Sequence, residues 1–371
     1  MSSRLQDLVR HHIDSGGFTG AAVVATKRNE IVLEHYAGNA APGLVSSANV
    51  LWPTASISKM YAVSAILSLV ERGEITLNTL ASDLLPKFKG EGRETIRLRH
   101  LLTHTSGLIY ESPEMEQRLI DQTPLENLLE EAYSAPLLFK PGNCFKYADY
   151  NTLLAGRMAE VITCQSLPEL VKALVLEPMK LHGTFFPTPE EEDARVAVVR
   201  GALAEGTEGA MYNSRYARSL AHPAFAVTAT AGDLVKFASH FAPGGPRIHS
   251  EATVRAMTTN QTGVVTGIHP TMKGYDEQAS MPWGLGFALQ TEWVPALLCE
   301  LASFKTFGHG GASGCQVMVD PENEIIVAVL TNTHLNTGRE AWYRKLQSLI
   351  NVSFIQALEA KPIKRRRELK V

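Results

Sequence analysis

The stretch from Leu51 to Glu74, LWPTASISKMYAVSAILSLVERGE, sets the strongest condition on how this chain can fold. Between Ile57 and Val70 its apolar residues (Ile57, Met60, Val63, Ile66, Leu67 and Leu69 among them) fall on every side of a helical period. A helix that is apolar all round sits in the middle of a protein. This one nevertheless carries Lys59, and lysine is almost never fully buried without a partner. Pro53 stands ahead of the helix and Ser is a favoured cap, so Ser56 lies at or near the helix N-terminus. Residues three apart share a helix face. The Lys59 amine is therefore expected beside the Ser56 hydroxyl.

That pairing has a chemical meaning. Burial disfavours an ammonium and lowers its pKa, so the amine can accept a proton. A serine hydroxyl is a weak nucleophile and needs such a base nearby. The helix N-terminus points backbone N–H groups at any oxyanion formed there. The alternative is a capping serine with a snorkelling lysine. Ser-x-x-Lys occurs once in the chain, and only further motifs decide between the two.

The layout predicts an α+β fold. A helix carrying Leu5, Leu8, Val9 and Ile13 opens the chain, followed by a hairpin from Gly20 to Gly38 turning at Lys27–Glu30. Strands are expected near Phe304–Phe307, Gln316–Val319 and Ile325–Thr331, then a helix from about Arg339 to Leu358. Strands at both ends imply one antiparallel sheet flanked by N- and C-terminal helices. The middle holds helical stretches such as Leu125–Tyr133 and Tyr150–Ile162 among Pro- and Gly-rich loops. The expected organisation is a sheet domain from 1–77 and 283–371, with a mainly helical inserted domain at 78–282.

Composition excludes several partner classes. Net charge is −3 with the signs well mixed, which speaks against nucleic acid. The basic run Lys361–Arg367 reads as a solvated tail. No stretch approaches the ~18 uninterrupted apolar residues of a membrane span, and the N-terminus has no apolar core of signal-peptide length. Cys144, Cys164, Cys299 and Cys315 lack CxxC pairing and read as reduced packing thiols in a cytoplasmic protein. His100 and His104 lack a third ligand at a suggestive spacing, so they read as turn and helix-end packing rather than a metal site. A Gly-x-Ser-x-Gly elbow, which an α/β-hydrolase would need, does not occur.

Two downstream segments bear on Ser56: Pro141-Gly-Asn-Cys-Phe-Lys-Tyr147-Ala-Asp149-Tyr-Asn-Thr-Leu-Leu-Ala-Gly156 and Phe307-Gly-His309-Gly-Gly-Ala-Ser-Gly314. With the Ser56 motif they resemble the three motifs of the serine β-lactamase-like family, in particular class C β-lactamases and family VIII carboxylesterases. His100-Leu-Leu-Thr-His-Thr-Ser-Gly-Leu108 and Trp283-Gly-Leu-Gly-Phe287 fit the same pattern, and the order holds from about residue 18 to residue 335. The resemblance implies that Ser56 is acylated and that Lys59 shares proton transfer with Tyr147, whose phenol neighbouring cations would make more acidic. It also implies that the backbone N–H groups of Ser56 and Ala312 form an oxyanion hole. Gly310 and Gly311 would keep the strand edge clear for substrate, and no metal or cofactor is implied.

Three departures from the family bear on substrate. Its Tyr-x-Asn is Tyr147-Ala-Asp149, where an amide donor becomes a carboxylate that only accepts. Beside Lys59, Asp149 would favour the ammonium and shift base duty toward Tyr147. His309 replaces a lysine, and neutral imidazole binds a substrate carboxylate weakly. Phe225 and Ala226 stand where a Gly-Gly pair is usual, so Phe225 either lines the pocket or packs. These changes favour a small neutral carboxylic ester as substrate. A β-lactamase or D-amino-acid peptidase, an acyltransferase and a catalytically inactive scaffold are the alternatives, and the oligomeric state stays open.

Overall fold

A computed structural model describes residues 3–201, 212–268, 282–291, 298–335 and 339–360. The basic run at 361–367 lies outside the described residues. Among them, seven strands make one antiparallel sheet. The N-terminal part supplies β1 (Gly20–Lys27), β2 (Glu30–Ala41) and β3 (Leu44–Val45). The C-terminal part supplies β4 (Ala288–Leu289), β5 (Phe307–Gly311), β6 (Cys315–Asp320) and β7 (Ile325–Thr331). Their order is β3-β2-β1-β7-β6-β5-β4, so the two ends of the chain meet where Ala21 faces Thr331 and Lys27 faces Ile325. The β1–β2 hairpin turns through Arg28 and Asn29 at φ 53° and 61°. That double left-handed turn matches the twist of the strands it joins.

Side-chain alternation splits the core into two layers. Ala21, Val23 and Ala25 of β1, with Val327 and Val329 of β7, face one cluster with Leu5, Val9, Leu349 and Phe354. Those partners come from α1 (Arg4–Asp14) and the C-terminal helix Arg339–Glu359. The intervening Ala22, Val24, Ile326, Ala328 and Leu330 face the other cluster, which contains α2 (Ser58–Glu71). The same cluster runs into α3 (Asp149–Thr163) and α4 (Ala231–Ser239), two helices of the middle stretch. Each fully buried Leu, Val, Ile or Phe contributes about 1.5–3 kcal/mol.

Helix α2 is as central as its sequence demands, with Ser58 to Leu69 all buried. Its internal serines return their hydroxyls to the helix, Ser64 Oγ donating to Met60 O at 2.7 Å and Ser68 Oγ to Ser64 O at 3.2 Å. Gly73 at φ 72° stops it.

Two expectations need correction. The strand expected near Phe304–Phe307 runs instead over Phe307–Gly311, and Phe304 is exposed. Phe-Gly-His-Gly-Gly has little strand propensity of its own. Pairing on both sides holds it, with Gly308 opposite Met318 and Ala288. All four cysteines are unpaired, but Cys164 is exposed at the end of α3 with φ 55°, so it is a turn residue rather than a packing thiol. Among the described residues no helix is long and apolar enough to cross a membrane.

Candidate active site

Ser56 lies in a 3-10 turn, Ala55–Ile57, that leads straight into α2. Ala55 takes φ 47°, a left-handed conformation that L-residues adopt only when their surroundings impose it. Those surroundings are the segment 224–227 on one side and the end of β5 on the other. Thr54 Oγ1 and N both donate to Val227 O, at 2.8 and 3.0 Å, and Val227 N donates to Ser58 Oγ at 2.9 Å. On the β5 side, Ser313 Oγ donates to Pro53 O at 2.5 Å. A Cβ on Gly311 would stand 2.1 Å from Thr54 O, so only glycine allows this approach. Gly310, by contrast, faces open space. Of the two glycines expected to clear the strand edge, Gly310 does so and Gly311 serves backbone contact.

Lys59 is 1% exposed and makes its contacts within this frame. Its Nζ donates to Ser56 Oγ at 3.1 Å and to Ala224 O at 3.1 Å, and pairs with Asp149 Oδ1 at 2.8 Å. It also sits 4.7 Å from the centre of the Tyr147 ring, whose hydroxyl engages Lys59 and Ser56. Tyr147 and His309 approach with ring centroids 6.0 Å apart. Residues 56, 59, 147, 149 and 309, spread along the sequence, thus meet at one place. Ala312 directly follows β5 at the same turn, half-buried like Ser56. Phe225 is buried and stacks on His222 with centroids 4.3 Å apart.

The electrostatics depart from expectation. Burial works to lower the Lys59 pKa, but the Asp149 carboxylate and the Tyr147 phenol outweigh it, and the pKa stands above the ordinary lysine value. Lys59 is an ammonium, not the free amine that burial alone would produce. Burial likewise raises the Tyr147 phenol, aided by Asp149, and the opposing Lys59 charge does not cancel this. Tyr147 is therefore a neutral phenol, where nearby cations were expected to make it acidic.

His309 is neutral, its pKa pushed down to about 3 by burial and then by the Lys59 charge. Its Nδ1 lies 2.7 Å from Gly310 O, and a carbonyl only accepts, so Nδ1 carries the proton. Nε2 is left as a lone pair with no hydrogen-bond partner among the described residues.

Several supporting residues carry no motif of their own. His104, expected as turn packing, is in a turn (φ 56°) and also positions Tyr147. Its Nδ1 accepts from Ala148 N at 3.2 Å and its carbonyl from Lys146 N at 2.8 Å, one residue to either side of Tyr147. Its place in the Leu-Thr-His-Thr-Ser-Gly turn was the available signal. His222 Nδ1 accepts from Ala224 N at 3.2 Å and so fixes the carbonyl that Lys59 reaches. Tyr110 Oη donates to Asp149 Oδ2 at 3.4 Å. Beside it burial, then the Asp149 charge, raise the Glu111 carboxyl to about 8. No local pattern marks Tyr110, Glu111 or His222, because their roles arise only from proximity to Lys59 and Asp149. Among the described residues no cluster of three His, Cys, Asp or Glu is placed to hold a metal ion.

Comparison with known proteins agrees with this architecture. The family model Beta-lactamase matches residues 5–349. Penicillin-binding protein 4 of Amycolatopsis lactamdurans is 28% identical over 310 residues, 80% of this chain and 76% of that protein. A putative D-alanyl-D-alanine carboxypeptidase of Salmonella agona (strain SL483) is 23% identical over 363 residues, 89% of this chain and 82% of its own length. Among solved structures, EstCE1, a hydrolase with promiscuous acyltransferase activity, superposes with a TM-score of 0.75 at 22% identity, covering 94% of this chain and 97% of that one. A family VIII carboxylesterase gives 0.70 at 23% identity, covering 92% and 96%. A match running from the first helix into the last means that the chain belongs to the Beta-lactamase family, serine hydrolases of the β-lactamase and penicillin-binding-protein superfamily.

Proposed function

We propose that this protein is a serine carboxylesterase that cleaves small neutral esters through an acyl-enzyme on Ser56. Ser56 Oγ attacks the ester carbonyl while its proton passes into the group formed by Lys59, Tyr147 and Asp149. The backbone N–H groups of Ser56 and Ala312 hold the oxyanion. The alkoxide leaves with a proton returned from the same group, and water then releases the acid. Acyl transfer to another alcohol is the same chemistry with a different second nucleophile. A cytoplasmic location belongs to the same proposal, supported by four unpaired thiols.

The observation that carries the ester reading is the state of His309. It stands where the family's lysine would meet a substrate carboxylate, yet it is uncharged and its unpartnered nitrogen is an acceptor. Two acceptors do not bond. The ammonium of Lys59 is already paired with Asp149, so it too is a poor anchor for an anion. A second reading, D-amino-acid peptidase or β-lactamase, draws on the similarity to penicillin-binding protein 4 and to the putative carboxypeptidase.

The test compares wild type with Ser56→Ala on p-nitrophenyl acetate and butyrate, a chromogenic cephalosporin and a D-Ala-D-Ala peptide. The expected result is an ester burst that falls by about a thousandfold or more in the variant, with little cephalosporin or peptide turnover. Turnover of the cephalosporin or the peptide above the esters would move the assignment to the second reading. No turnover of any of them and no labelling of Ser56 by a phosphonate would leave a scaffold.

A further inference from the structure

Strand β5 runs on past the reach of its last neighbour. Among the described residues β4 closes the strand order, and it pairs only with Phe307 and Gly308. Gln290 N, directly after β4, donates to Thr306 O at 2.8 Å, so Thr306 turns its carbonyl toward that side. Backbone groups of an antiparallel strand point to alternate sides along the chain, which sends those of Gly308 and Gly310 the same way. Opposite Gly310 the partner strand has ended, because the chain before Ala288 turns back, with Gly284 N donating to Phe287 O at 2.9 Å. Gly310 O therefore projects from an open strand edge.

That edge adjoins the nucleophile. Side chains alternate faces along a strand, and Phe307, His309 and Gly311 share the face toward α2. Phe307 belongs to the core cluster that contains this helix, and a Cβ on Gly311 would stand 3.2 Å from that of Ala55. Ser56, Gly310 and Ala312 are each half-buried, while their direct neighbours in the chain are buried. The site thus opens along this stretch of β5. An unpaired edge beside a nucleophile is a docking place for extended main chains, because its carbonyls accept peptide N–H groups.

Here the carbonyl is already engaged. His309 Nδ1 donates to Gly310 O at 2.7 Å, so the imidazole folds over the edge from the preceding residue. Aromatic rings hold it there. Trp283 meets His309 at 5.6 Å with the ring planes 88° apart, and the Tyr147 ring lies 6.0 Å away. With His309 only 3% exposed, the ring has little room to swing off the carbonyl.

We propose that His309 is a specificity-determining residue that competes with substrate N–H groups for Gly310 O, so that the site favours plain acyl chains over N-acylamino acyl groups. The proposal rests on the esterase reading above. A carbonyl has two lone pairs, so the imidazole weakens a second donor's bond without forbidding it. A substrate N–H that gives up water at this edge finds no full partner and is penalised. A methylene in the same place has no hydrogen bond to lose.

Two p-nitrophenyl esters, of N-acetylglycine and of levulinic acid, differ only in N–H against CH2 and share the leaving group. For each, kcat/KM is divided by the ester's own rate with hydroxide, which removes the difference in intrinsic reactivity. Wild type is expected to favour the levulinate ester or to treat the two alike. In His309→Ala the edge carbonyl is free, and the ratio should swing toward N-acetylglycine by about tenfold. The ratio is read within each protein, so a general loss of activity in the variant does not disturb it.

A wild type that already favours N-acetylglycine by about tenfold overturns the proposal whether or not the variant folds. So does a folded His309→Ala whose ratio matches that of wild type. Absence of a wild-type burst on either ester would instead remove the esterase reading. Bursts on both esters with either contrary ratio remove the proposal alone.

Discussion

The two ends of helix α2 bury polar groups in different ways. At the N-terminal end Lys59 and Asp149 are both charged and nearly sealed from solvent, 2.8 Å apart. At the C-terminal end the buried groups are neutral. His249 Nε2 lies 2.9 Å from both Ser68 Oγ and Ser64 O, and its Nδ1 lies 2.9 Å from His240 Nε2. His240 Nδ1 in turn accepts from Ile248 N at 3.1 Å, which leaves its Nε2–H to donate to His249. Burial, then the neighbouring His249, push His240 down to about 3, and His249 is lowered by burial as well. A neutral chain of hydrogen bonds is satisfied by geometry alone. A buried charge pair needs its counter-charge, and removing either member exposes the desolvation penalty of the other. The first arrangement holds a structure together. The second keeps a paired charge next to a nucleophile, at a cost in stability.

Breaking the charged end should have the largest effect. Lys59→Met is expected to abolish the ester burst and to lower unfolding stability by about 3–5 kcal/mol, because Asp149 is left without a partner. The double variant Lys59→Met/Asp149→Asn should recover most of that stability in urea melts and none of the activity. A double variant no more stable than the single one would mean that the pair is not the unit described here.

At the neutral end His249→Ala should cost about 1–3 kcal/mol, the price of unpartnered buried groups around it, with ester turnover unchanged within about twofold. A large loss of activity there would show that the two ends of the helix are coupled.

Acid sharpens the contrast least, but it has a defined sign. His222, His240 and His309 each stay neutral in the folded protein down to about 3, while in the unfolded chain they bind protons below the ordinary value of 6.5. The unfolded state therefore takes up more protons as pH falls from 6.5 toward 3, and stability declines across that window. Thermal melts should show Tm falling through it, with a shallower slope once His240 is replaced by Phe. An unchanged slope would mean that His240 is not held neutral by the fold.

Much of the fold was legible because it follows from local pattern. The unbroken apolar runs of β1 and β7 and the all-round apolar character of 57–70 record burial on every side, and the Pro53–Ser56 entry marks where the helix begins. Strand β5 was misplaced by about three residues because glycines carry no such record, and only its two neighbours define it. The spacing of Ser56 and Lys59 was legible for the same reason, being a property of one helical turn. The stacking of Phe225 on His222 was not, since no local pattern records which ring a phenylalanine meets.

The sequence by itself determined which groups this protein has to work with: a serine and a lysine one turn apart on a buried helix, a tyrosine, an aspartate in place of an amide and a histidine in place of a lysine. Only the tertiary structure decided their protonation. Whether Lys59 is amine or ammonium depends on a carboxylate ninety positions away in sequence and 2.8 Å away in space. The physical reason is that hydrophobic patterning is summed locally along the chain, whereas a pKa responds to charge and burial through distance, which folding alone sets.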